Sequence, residues 1–292
     1  MIYTIRNEFL TVQISAHGAE LQSIKDAGGH EYLWQGDPAY WTSHAPNIFP
    51  YVARLTEGKY ILSGKEYGFG NHGLVRYEDL AAEEISPAAV SFCLEATEET
   101  KKKYPFDFRY LIRYEVSGNR LLIRTEVENR GAERMYFAVG GHPGFNVPME
   151  DGLSFEDYFL EFDTPAHPYR IFLADSGAVT PAQEVYHMDT DRRIPLQHDL
   201  FDHDAIVLHH AAKKVTVRSD RGNRSVTVSH PDFRYIGFWH KPKTDAPYVC
   251  IEPWTSLPSR EGIVENLALQ ADLLHLDAWE KWATEWSVEI TG

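Results

Sequence analysis

The chain is 292 residues long, with 43 acidic against 28 basic side chains and a formal net charge of −15. That balance argues against nucleic acid or an anionic membrane as partner, and the short run Lys101–Lys103 reads as a solvated turn. A chain this long buries enough apolar surface to fold without disulfide or metal support.

Its two cysteines, Cys93 and Cys250, lie inside the apolar runs VSFCLEA and YVCIEPW. They read as buried free thiols of a reducing compartment. The N-terminal MIYTIRNEFLTVQIS lacks a basic region followed by an apolar one, and no stretch approaches the ~18 apolar residues of a membrane span. A cytoplasmic protein is expected. The 7 Trp, 16 Tyr and 15 Phe suit a large β core, or rings set against the apolar faces of a sugar in a cleft.

In chain order, period-2 alternation first marks a strand at FLTVQIS (9–15). NIFPYVARL (47–55) then carries Arg54 out of a Pro-containing apolar run, and FGNHGLVR (69–76) places His72 between Asn71 and Gly73. Read alone, Arg54 is an ordinary strand-end arginine and His72 a turn residue. Strands follow at VSFCLEA, at 108–118 and at 120–129, the last two joined at VSGN (116–119) by a hairpin carrying a glycine.

The pattern breaks at GGHPGFNVP (140–148), where glycines and prolines hold His142. A histidine capping that turn is the structural alternative. A strand at 157–163 follows, then LFDHDAIVL, with Asp202 and Asp204 just before another strand. The runs 213–220 and 224–230 alternate about a second glycine-bearing hairpin, SDRGN (219–223). In YVCIEPW (248–254), Glu252 ends an apolar strand before Pro253. Partial desolvation there raises a carboxyl pKa and makes a usable base near neutrality. Residues 266–283 form a loop or short helix before a final strand, WSVEIT. The whole is expected to be one all-β domain, residues 1–292, built as a large antiparallel sandwich with few short helices.

The histidines do not suggest zinc. His72 and His142 stand 70 residues apart, no HxxxH or CxxC occurs, and the adjacent His209 and His210 would face opposite sides of a strand. There is no GxSxG elbow and no Gly-rich phosphate loop. Glu252 with Asp204 leaves a two-carboxylate hydrolase open. One carboxylate with two histidines suits proton shuttling without a covalent intermediate.

Arg54 after its apolar run, HG followed by Arg76, GGHPGFN and then IEPW resemble, in this order, the aldose 1-epimerase (galactose mutarotase-like) family, with the LacX-type branch nearest. AHGAELQSI (16–24), EYLWQGDPAYW (31–41) and IEPWTSLP (251–258) extend the resemblance over the chain. It implies a mutarotase that interconverts the anomers of a hexose or related sugar, with neither metal nor cofactor; the protein is expected to be a monomer or homodimer. By the resemblance Glu252 is the base and His142 the acid, the two on opposite sides of the sugar. Arg54, His72 and Asp204 (with Asp202 close behind) hold the substrate, and Arg76 falls where hexose-6-phosphate-preferring relatives carry an arginine. A histidine of ordinary pKa in an acidic protein is expected to stay protonated. A non-catalytic carbohydrate-binding protein and a polysaccharide lyase or hydrolase are the alternatives.

Overall fold

Alternation sets the architecture. Arg120–Asn129 buries Leu121, Ile123, Thr125 and Val127, and Lys281–Thr291 buries Thr284, Trp286, Val288 and Ile290. A period of 2 puts each set on one face of its strand. In the computed structural model, which describes residues 1–292, the two strands pair antiparallel with Ile123 opposite Trp286. They sit at the middle of a nine-stranded sheet running from Arg193–Pro195 at one edge to Ala81–Ile85 at the other. Its outer face carries cross-strand ion pairs such as Arg109–Glu83 and Arg113–Glu84. Exposed pairs of this kind add little stability but keep the face polar.

An eight-stranded sheet lies across the core. From one edge it runs Val179–Val185, Tyr169–Leu173, Ile206–His209, Tyr235–Trp239, Tyr248–Trp254, Gly140–Gly141 and Asn47–Ile48, with Gly144–Asn146 also pairing to Tyr248–Trp254. All seven residues of Tyr248–Trp254 are buried. Val249 and Ile251 join the main apolar core of 70 residues, whereas Tyr248 and Cys250 pack with Trp34 and Ala246 on the other face. A strand covered on both sides reads as a continuous apolar run, which explains why YVCIEPW does not alternate.

Several expectations are met and several corrected. The hairpin at VSGN is present, and Gly118 takes φ of 59°. The hairpin at SDRGN is present too, but Gly222 does not use a left-handed backbone. That glycine is required by space, because a Cβ there would run into the Glu150 carboxylate, which accepts the Asn223 N–H.

Lys101–Lys103 is not a turn; it closes the α-helix Glu98–Lys103. Thr97 and Thr100 cap its start reciprocally, and acids first with lysines last match the helix dipole. His209 and His210 do not face apart. The strand ends at His209, His210 takes φ of 61°, and the rings stack at 3.7 Å. Residues 266–283 resolve into a 3₁₀ turn, Leu267–Leu269, a short strand, Leu274–Leu276, and the start of the final strand.

Candidate active site

The register of the eight-stranded sheet assembles the site. Gly140 pairs with Trp254 and Gly144 with Cys250. The same register carried through the intervening residues sets His142 directly opposite Glu252. Opposed side chains in an antiparallel ladder are nearest neighbours on one face, and here His142 Nε2 lies 3.1 Å from Glu252 Oε2. Glycines make the approach possible. A Cβ on Gly140 would stand 2.7 Å from the Pro253 carbonyl oxygen, and one on Gly141 2.5 Å from the Trp286 ring. The glycines of GGHPGFN therefore answer to crowding on both sides of the strand.

A second pair of segments brings in His72. The Leu74 N–H donates to the Phe49 carbonyl (2.7 Å) and the His72 N–H to that of Ala53 (2.8 Å), so 49–54 and 70–76 run side by side. His72 takes φ of 64°, and its Nδ1 accepts the Ala53 N–H at 3.2 Å. With Nδ1 accepting, the proton of a neutral ring sits on Nε2, which makes His72 a hydrogen-bond donor there. Its ring stands edge-on to that of His142 at 5.2 Å.

These groups line a pocket of about 260 Å³ together with Arg54, Arg76, Asp204 and Lys241. Trp41 and Trp239 flank His142, with ring centroids 4.9 and 5.6 Å from the imidazole. The Arg76 guanidinium donates to Ser43 Oγ at 3.2 Å. Asp204, at φ of 73°, accepts the Ala205 N–H at 2.9 Å. Asp202 turns away and accepts the Lys243 N–H at 3.1 Å, so Asp204 alone of that pair reaches the pocket.

Burial governs the electrostatics. Desolvation pushes Glu252 well above the usual carboxylate range, and the charge of Asp204 adds to it. Desolvation and then the Arg76 guanidinium push His142 down to about 3. His72 falls well below the usual range through burial, with His142, Arg76 and Arg54 adding to the effect. Asp204 is raised by burial, against the pull of the Ala205 N–H and Arg54.

Burial and the nearby Arg76 guanidinium thus favour a neutral His142, where the sequence suggested a protonated one. Net charge is a property of the whole surface, whereas this ring sees a dry pocket and a nearby arginine. Glu252 Oε1 and His142 Nδ1 are buried without a hydrogen-bond partner in the protein, while Glu252 Oε2 contacts His142 Nε2.

The placement of acid and base across the sugar from each other is corrected as well. Glu252 and His142 touch, leaving no room for a ring between them. The two oxygens of a hemiacetal are bonded to the same carbon, so groups serving them belong side by side. Sequence spacing also gave no sign of one cluster of potential ligands. The sheet gathers His142, Cys250 and Glu252, with one ligand atom from each, all within 4.8 Å of one another. Sequence reasoning missed Trp41, Trp239, Trp254, Tyr40 and Lys241 as lining residues. The abundance of aromatic residues was the only signal for the rings, and Lys241 gave none.

The fold is thus an antiparallel β-sandwich that brings a carboxylate and an imidazole together in an aromatic-walled pocket. The sequence model of the family described as aldose 1-epimerase matches residues 1–266. The plasmid-encoded protein LacX of Lactococcus lactis is 32% identical over 292 residues, covering 96% of this chain and 97% of its own. Among solved structures, a galactose mutarotase related enzyme of Lactobacillus acidophilus superposes with a TM-score of 0.95 at 36% identity, over 100% of this chain and 98% of its own. A galactose mutarotase-like protein of Lactobacillus casei gives a TM-score of 0.93 at 30% identity, over 99% and 100%. The chain belongs to the aldose 1-epimerase family and is an isomerase of the mutarotase type. No helix in it is long and apolar enough to cross a membrane.

Proposed function

We propose that the protein interconverts the α and β anomers of a hexose or closely related sugar, with Glu252 and His142 exchanging the two protons. The observation that carries this is the 3.1 Å approach of His142 Nε2 to Glu252 Oε2 on the pocket floor. Ring opening removes a proton from the O1 hydroxyl and delivers one to the ring oxygen; closure on the other face reverses both. Glu252 takes the first and His142 supplies the second.

The pair holds one proton throughout. A carboxylate with an imidazolium receives the closed ring, and a carboxylic acid with a neutral imidazole remains beside the open-chain aldehyde. Burial favours the second state, so the dry pocket stabilises the side of the reaction that holds the least stable sugar form. Between the two transfers C1 turns about the C1–C2 bond.

His72 and Arg54 donate to sugar hydroxyls, Asp204 accepts from them, and Trp41 and Trp239 cover the apolar face of the ring. Arg76 adds positive charge at the same wall. The free, buried state of Cys93 and Cys250 supports assignment to a reducing, cytoplasmic compartment.

Polarimetry of freshly dissolved α-D-glucose and α-D-galactose, and of their 6-phosphates, tests the reading. Wild type should speed equilibration and Glu252→Gln should lose about 10²–10⁴ of that rate. Equilibration no faster than the blank for all four sugars sinks it.

A further inference from the structure

Cys250 takes no part in these proton transfers, yet it lies against them. It shares a strand face with Glu252, two residues on, and faces Gly144 across the ladder. Cys250 is fully buried, and a Cβ on Gly144 would make ordinary contact with its sulfur at 3.5 Å. We propose that His142, Cys250 and Glu252 form a binding site for a soft divalent cation, zinc or cadmium, and that a cation there occupies both proton-transfer groups.

The donor set is the first ground. Imidazole nitrogen, thiolate and carboxylate oxygen are each donors that zinc accepts, and three of them leave a fourth tetrahedral position free. The open position here faces the sugar pocket, which His142 and Glu252 line.

Geometry is the second ground. The three donors already lie within 4.8 Å of one another, and bond lengths of ~2.0–2.3 Å require a contraction of about 1 Å, within reach of side-chain rotation. Partnering is the third. Glu252 is 1% exposed, yet its Oε1 has no hydrogen-bond partner in the protein.

Charge closes the balance. The thiol and the carboxylic acid each release one proton to solvent, and the imidazole contributes the Nε2 lone pair. Two negative ligands neutralise the 2+ ion, so the buried cluster carries no net charge, the condition under which burying an ion is tolerable. Binding therefore strengthens as pH rises.

The consequence for turnover rests on the epimerase reading; the site itself does not. The test is a cadmium titration of chelator-treated protein, followed by thiolate-to-cadmium charge-transfer absorption in the ultraviolet and, in parallel, by polarimetry. Wild type and Cys93→Ser should each develop the band with one equivalent of cadmium. Cys250→Ala and Cys250→Ser, checked for folding by circular dichroism, should lack it. Wild-type mutarotation should fall with the midpoint of the band, while Cys250→Ala keeps its basal rate and needs at least about tenfold more cadmium for the same loss.

No band in wild type, or an undiminished band in both Cys250 variants, overturns the site. A full band with unchanged turnover removes Glu252 and His142 from it and overturns the proposal equally. If no sugar is turned over at all, the epimerase reading fails. The site is then decided by the band in wild type, Cys250→Ala and Glu252→Gln, where loss of the band in both variants supports it.

Discussion

Acidification should unfold this protein early, and His230 offers a way to measure one part of the effect. The ring follows the strand Ser225–Ser229, is 1% exposed, and has neither nitrogen in a hydrogen bond. Burial first, and the Lys213 ammonium second, push its pKa from 6.5 down to about 3. The unfolded chain therefore takes up a proton as pH falls through 6.5, while the folded chain refuses it until about pH 3. Stability is complete above pH 6.5 and declines below it.

Each unit between the two pKa values contributes about 1.4 kcal/mol, so the 1.5 units from pH 6.5 to 5.0 cost roughly 2 kcal/mol. The assay is urea unfolding of wild type and His230→Leu at pH 7.5 and pH 5.0. Leucine has a similar volume and no charge, so the variant should lose about 2 kcal/mol less than wild type over that interval. His72, His142 and His240 are shifted in the same direction in both proteins and cancel in the difference. Equal losses would show that the folded protein protonates His230 freely, and the account of an unsolvated ring would be wrong.

Three further outcomes are expected. Gly141→Ala drives a methyl into the Trp286 ring, so it should lower the thermal midpoint by an amount equivalent to about 1–3 kcal/mol and reduce kcat by displacing His142; unchanged melting and polarimetry would remove crowding as the reason for the glycine. Asp204→Asn should raise KM for the active sugar while Asp202→Asn leaves it alone, since only the first lines the pocket; steady-state kinetics showing the reverse would restore Asp202 as the ligand. Trp239→Ala strips one wall of the pocket and should weaken sugar binding by about 0.5–1.5 kcal/mol, read as a raised KM, and equal KM values would place the ring elsewhere than against the wall.

Much of the fold was legible because alternation reports burial directly. Strands such as Arg120–Asn129 bury one face and solvate the other, and the sequence shows it. The site was legible for a different reason. His142, His72 and Glu252 interrupt apolar or glycine-rich runs, and a polar group in such a place has to be accounted for. What could not be read was which interruptions meet. The pairing of His142 with Glu252 depends on the register of Gly140 and Gly144 against Trp254 and Cys250, which is a non-local fact of the sheet. The same register hid the grouping of His142, Cys250 and Glu252, since 110 residues of chain separate His142 from Glu252.

The charge states follow from that register too. A histidine at an exposed turn in a protein of charge −15 would hold its proton near neutrality, as composition suggests. Placed opposite Glu252 on a strand buried on both faces, it is desolvated together with its partner, and each loses its charged form. Composition acts through solvent, and solvent is what the sheet removes. On the proposed mechanism the proton rests on the carboxyl in the dry pocket, and a hydroxyl-bearing ring draws it across the 3.1 Å gap to the imidazole before that ring opens. On the same reading, hydrogen bonds from His72 and Arg54 to the sugar oxygens form in the same event and offset the cost of separating charge in the pocket. This assigns His72 and Arg54 a part in kcat as well as in binding. Replacing either should lower both kcat and kcat/KM, and a change confined to KM would show that the pair ionises without their help.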